Sequence, residues 1–116
     1  MPERIQLSRK KGWRKPENTV VVSRPSRWGN PWRVWRDPKL RRWILKADHN
    51  ASSERYMTRE MAITAAVQSF AAWAWRLDVS DLAGKNLACW CPLDQPCHAD
   101  VLLDIANRED ADHGRQ

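Results

Sequence analysis

The sequence predicts an α/β domain: a small, largely parallel sheet of three to five strands flanked by two main helices. Two short apolar runs, residues 19–23 and 86–91, carry that expectation, because nearly continuous apolar character suits strands buried on both faces. Between them, apolar side chains recur at three- and four-residue spacing over residues 63–77, the period of one helix face. Strand, long connection containing a helix, strand, helix is the order of a right-handed βαβ unit.

Taken in order, Ile5-Gln6-Leu7 reads as a short edge strand and residues 10–16 as a loop broken by Gly12 and Pro16. Thr19-Val20-Val21-Val22-Ser23 is the first buried strand, ended by Arg24-Pro25. Gly29-Asn30-Pro31 is a turn: Gly29 permits a positive φ, and Asn30 before proline is pushed out of the helical region. Trp32-Arg33-Val34-Trp35 and Trp43-Ile44-Leu45 flank Asp37-Pro38-Lys39 as a hairpin would, although residues 40–46 also fit a short helix. Residues 47–57 read as a polar loop.

Thr58 is a natural N-cap, with Glu60 favourable in the first turn. Ile63, Ala66, Val67, Phe70, Trp73, Ala74 and Leu77 then form one apolar stripe on a helix near residues 59–76. Residues 78–85 link this helix to the second buried strand. Pro96 suits the first turn of a final helix, where its missing N–H costs nothing, and Val101, Leu102 and Ile105 give that helix its inner face. Residues 1–107 make one α/β domain with a basic, Trp-rich N-terminal part, and 108–116 make a polar tail.

Bulk properties bound the function classes. A chain of 116 residues with 42% apolar content can bury a modest core without staples. No apolar run approaches the roughly 20 residues of a membrane span, and the N-terminus lacks an apolar signal core. The expectation is a soluble, cytoplasmic chain with no membrane partner. Three cysteines, an odd number, are expected to stay thiols in that compartment.

The net charge of +6 conceals an asymmetry: residues 1–46 carry 14 Lys/Arg against three acids, whereas residues 47–116 carry 6 against 11. Five of the eight tryptophans, Trp13, Trp28, Trp32, Trp35 and Trp43, lie in the basic half. Interleaved cations and aromatics suit a phosphate- or base-bearing partner, a nucleic acid among them. They equally suit Arg and Lys stems covering a small core beside packed indoles.

If the strands at 19–23 and 86–91 are parallel, the loops that follow them leave from the same carboxyl edge, where open α/β sheets bind ligands. The 24–31 loop offers Arg24, Ser26, Arg27, Trp28, Gly29, Asn30 and Trp32 as ligand-binding candidates. Arg24 and Arg27 can clamp an anion, Trp28 and Trp32 can stack on a base, and small polar residues permit close approach. The alternative is a rigid turn shielded by indoles. The 91–97 loop ends at a helix N-terminus, whose free N–H groups attract anions and lower a nearby thiol pKa. Cys97 is therefore the candidate reactive thiolate and His98 the candidate acid or base, with Asp100 to orient it.

Metal binding is a rival use of the same segment, since Cys89, Cys91, Cys97 and His98 supply a Cys₃His set for zinc. The set lacks a C-x₂-C knuckle, and a regular strand would hold Cys89 and Cys91 too far apart without a kink near Pro92. A third reading makes Cys89 a small core residue and His98 a turn cap. His49 and His113 lie in polar segments and attract no functional assignment.

Arg24-Pro25-Ser26-Arg27-Trp28-Gly29-Asn30-Pro31-Trp32 resembles the Arg-Pro…Gly-Asn-Pro-aromatic signature of the domain-of-unknown-function family 4326. Ala66-Val67 through Phe70 and Trp73 is similar to its central helix. Leu87-Ala88-Cys89-Trp90-Cys91 with Pro96-Cys97-His98-Ala99-Asp100-Val101-Leu102 is similar to its C-terminal signature. Arg4-Ile5-Gln6-Leu7 and Gly12-Trp13-Arg14 also resemble the basic opening of such bacterial and phage proteins. The chain departs by placing Trp32 where Phe is frequent and by its polar insertion near 47–57. The Cys-His ending is distantly similar to that of a second uncharacterised family, number 488, with an α/β fold, a resemblance that bears on fold more than on activity.

Three functions are therefore expected in order: a domain binding a nucleotide-like or other anionic small molecule, with thiol or imidazole chemistry open to it; a nucleic-acid-binding module using the basic half; and a zinc-stabilised interaction domain.

Overall fold

The computed structural model describes residues 2–108 and divides the strands between two sheets instead of one. In chain order the strands are β1 (Arg4–Gln6), β2 (Thr19–Val21), β3 (Trp32–Asp37), β4 (Arg42–Ala47), β5 (Ser53–Tyr56) and β6 (Asn86–Cys89); the helices are α1 (Arg59–Trp73) and α2 (His98–Ala106). The first sheet is parallel, in the order β1-β6-β2, and the second is antiparallel, in the order β3-β4-β5.

The α/β class thus holds, but only half of the sheet structure is parallel. The reason is the hairpin at β3 and β4: Pro31 and the Asp37 turn isolate a six-residue strand pair, with Trp32 opposite Ala47 and Asp37 opposite Arg42. The Asp37 carboxylate accepts from the Lys39 and Leu40 N–H groups and so closes the turn, which excludes the alternative helix at 40–46. The polar loop expected over 47–57 is corrected as well. Residues Ser53–Tyr56 pair with β4 as an edge strand although their side chains are mostly exposed.

α1 begins at the expected cap, where Thr58 Oγ1 accepts the Met61 N–H at 3.1 Å. It ends at Trp73 and tightens into a 3₁₀ turn over Ala74–Arg76, slightly short of the expected single helix. A second 3₁₀ turn, Ser80–Leu82, lies in the connection to β6. One face of α1 buries Ala62, Ala66 and Phe70. The helix packs against β3 and β4 of the antiparallel sheet and against α2, so it joins the two halves.

On the parallel side Val22, Phe70, Leu82, Leu87, Cys89, Cys97, Ala99 and Leu102 form one buried cluster, while Ile44, Leu45 and Ala47 of β4 are buried on the antiparallel side. Each fully buried Leu or Phe contributes roughly 1.5–3 kcal/mol relative to exposure. Within the described residues no helix is long and apolar enough to cross a membrane. Beyond Arg108, the expected tail and His113 lie outside those residues.

Candidate functional site

β6 is the middle strand of the parallel sheet, with β1 and β2 on either side of it. The chain leaving β2 and the chain leaving β6 therefore depart from one edge, as the βαβ order requires. They line a common cavity of about 490 Å³. From the first loop it takes Ser23, Arg24, Asn30 and Trp32; from the second, Cys89, Cys91, Cys97 and His98; from α1, Arg59 at the rim.

The first loop is two consecutive turns, with Ser26 N–H donating to Ser23 O and Gly29 N–H to Ser26 O, each at 3.0 Å. Gly29 is required by close approach and not by a positive φ. A β-carbon there would lie 2.7 Å from Arg24 Cγ and 3.1 Å from Arg24 Cα. Asn30 Oδ1 accepts the Trp32 N–H at 2.8 Å, and its Nδ2 faces Ala66 O on α1 at 3.5 Å, so this amide ties the loop to helix and strand.

Four of the expected ligand residues do not line the cavity. Arg27 lies over the Trp28 ring at 4.4 Å and pairs with Asp81, while Trp28 Nε1 donates to Asp78 O. Ser26 Oγ is buried without a hydrogen-bond partner, and Gly29 only shapes the turn. Arg24 is different. Burial first, then the neighbouring Arg33, pushes its pKa down. Asp48, which would offset that charge, is already engaged by Arg33 at 2.7 and 3.1 Å. Neither Arg24 nor Arg59 has an ion-pair partner among the described residues.

Trp32 is a wall of the cavity and also one of three rings in an aromatic cluster. It meets Trp73 edge-on at 5.8 Å and His49 edge-on at 5.1 Å, and His49 stacks on Trp73 at 5.6 Å. His49, which the sequence leaves without a role, thus covers the seam between hairpin and helix.

The second loop is shaped from outside by Arg4, a side chain only 8% exposed. Its guanidinium donates to Gln95 O and Pro92 O, each at 2.9 Å, and to Asp100 Oδ2 at 3.0 Å. Asp100 therefore serves Arg4 and does not orient His98. Strand geometry ends at Cys89, and the bend that follows brings Cys89 Sγ and Cys91 Sγ to 3.8 Å, the kink that the sequence demands of a shared site. All three sulfurs lie within 4.8 Å of one another.

Cys97 is the N-cap of α2 and is almost fully enclosed. Its expected low pKa is not found: the Cys89 and Cys91 sulfurs beside it, then burial, push its thiol up, against the Ala99 N–H, which favours the thiolate. The same contacts, led by Cys91, favour the thiolate at Cys89. Three thiols sharing so small a space accommodate one negative charge and resist a second.

His98 is buried, with Nε2 2.8 Å from Val22 O and Nδ1 3.7 Å from Cys97 Sγ. A carbonyl only accepts, so Nε2 carries the proton and Nδ1 presents its lone pair toward the sulfurs. Both ring nitrogens are engaged, which suits a ligand or a brace better than a proton shuttle. Arg4, Arg59, Ser23 and Trp90 are site residues to which the sequence assigns no role: Arg4 and Trp90 stand in family-like segments without a chemistry of their own there, and Arg4 reaches partners 88 to 96 residues away.

The chain matches no curated protein and no solved structure. A family model, however, matches residues 5–108, nearly the whole of the described chain. That match takes in both cavity loops and the helix between them, and the protein belongs to the family described as a domain of unknown function, DUF4326.

Proposed function

We propose that this domain binds a nucleotide-like or other anionic small molecule in the cavity between the 24–31 and 91–97 loops. The observation that carries the reading is Arg24: a partly desolvated guanidinium on the cavity wall, crowded by Arg33 and without a carboxylate of its own. Such a charge is stabilised by an incoming anion, to which it can offer two parallel N–H donors. Arg59 adds a second cation at the rim, and Trp32 and Trp90 provide flat apolar walls. A volume of about 490 Å³ falls in the ordinary range of small-ligand sites. Binding is favoured over turnover, because His98 is held through Nε2 on the Val22 carbonyl with Nδ1 against Cys97, and Cys97 is only 1% exposed.

Calorimetry against inorganic phosphate, nucleoside mono- and diphosphates and sugar phosphates tests this. One class should bind, and Arg24→Ala should weaken it by about 10–100-fold, the loss of a charge-assisted hydrogen bond of roughly 1.5–3 kcal/mol. No binding across the panel, or binding indifferent to Arg24→Ala, rejects the proposal. Steeply salt-dependent binding of single-stranded DNA or RNA that survives Arg24→Ala would instead assign function to the basic tryptophan-bearing surface.

A further inference from the structure

The geometry points to a zinc-class metal site on the cavity floor, held by Cys89 Sγ, Cys91 Sγ, Cys97 Sγ and His98 Nδ1. This assignment is independent of what, if anything, fills the cavity above it. With Zn–S bonds of about 2.3 Å and Zn–N bonds of about 2.0–2.1 Å, a tetrahedral centre sets its sulfurs about 3.8 Å apart and sulfur to nitrogen about 3.6 Å apart. Cys89 and Cys91 already stand at 3.8 Å, and Cys97 Sγ and His98 Nδ1 at 3.7 Å.

The three sulfurs form a group within 4.8 Å of one another; the imidazole nitrogen touches that group through Cys97 at 3.7 Å and would complete the shell by shifting toward the other two sulfurs. Two further features fit a metal site. His98 donates from its remote nitrogen to a backbone carbonyl, the arrangement that fixes a ligating imidazole with its other nitrogen bare. The peptide chain between Cys91 and Cys97 is pinned by Arg4 through two carbonyls and Asp100, so the loop is held in place without any bond to the cysteines themselves.

Soft thiolates with one imidazole select zinc over magnesium or calcium, and deprotonation on binding couples occupancy to pH. Three sulfurs packed this closely become compatible as thiolates once a dication supplies the charge they lack.

Elemental analysis of full-length protein, expressed with zinc and purified without chelator or metal-affinity tag, should find about one zinc per chain. Replacement by Co²⁺ should give the visible bands of a tetrahedral centre with thiolate-to-cobalt charge transfer. Cys91 is the least enclosed ligand. Cys91→Ser should weaken the metal by more than roughly 100-fold, beyond the loss caused by an outer partner, and should diminish the charge-transfer band. His98→Ala should shift the Co²⁺ d–d bands while keeping that band. Metal-free protein with a native circular dichroism spectrum and three titratable thiols overturns the site. Bound zinc with cobalt spectra unchanged in His98→Ala overturns the fourth ligand.

Discussion

The two loops that meet at the cavity are built on opposite plans. In the 24–31 loop most side chains look after the loop itself: Asn30, though it lines the cavity, spans helix and strand, Arg27 and Trp28 turn outward onto Asp81 and Asp78, and Arg24 is left as the loop's one cation at the cavity. In the 91–97 loop the reverse holds. Its chemically interesting side chains face in, and the work of shaping the chain falls to Arg4, on another strand. A self-supporting loop can spare one residue for recognition. A loop braced from outside can spare nearly all of its soft ligands for one centre, and it then depends on the brace.

That dependence predicts the largest effect. Arg4→Met keeps the apolar stem but removes three charge-assisted hydrogen bonds; Gln95 O and Asp100 lose Arg4, while Pro92 O keeps only the Gln95 N–H. The loss should be about 1–3 kcal/mol, read from urea unfolding, since a hydrogen bond to a charged group is worth roughly 1.5–3 kcal/mol and the half-exposed partners recover part of it from water. Hydrogen exchange should speed up at residues 91–97 and stay unchanged at residues 24–31. If both loops loosen equally, the contrast between them is wrong.

A second effect isolates the other plan. Gly29→Ala places a methyl group 3.1 and 3.2 Å from the Arg24 backbone, and that turn cannot open without moving Arg24. The expected cost is roughly 1–3 kcal/mol, with anion affinity reduced and metal content untouched. Metal loss in this variant would mean that the two loops are one cooperative unit.

These contrasts were unevenly legible in the sequence. The convergence on one edge followed from two apolar runs with a helix between them, because parallel strands admit few other arrangements. The hairpin and the Thr58 cap were readable from turn and capping chemistry. β5 was not, since an edge strand with exposed polar side chains is made by backbone pairing and shows no apolar alternation. Arg4 was hidden for a different reason: one arginine among 20 cations has no local signature when its partners lie at the far end of the chain. The four metal-type ligands were visible as residues. Their mutual distances were not, because the bend after Cys89 is set by the brace on the following loop and not by the cysteines.

The smallest expected effect has the most informative sign. Arg33 holds the Asp48 carboxyl below its ordinary 3.8, through a hydrogen bond first and charge second. A depressed carboxylate contributes stability above its unfolded pKa and loses it as pH falls through the folded value, so this pair should fade below about pH 4. Asp48→Asn should therefore narrow its stability gap from the parent protein in acid. Its effect on the cavity runs the other way. Removing the carboxylate frees Arg33 and strips Arg24 of a compensating charge, so an anion bound at Arg24 should gain about two- to fivefold in affinity, less at high salt. Simple damage to the loop would weaken binding instead. A gain supports Arg24 as the charge that receives the ligand; a loss reduces Arg24 to a structural residue and leaves the thiol–imidazole floor as the one chemically specialised part of this cavity.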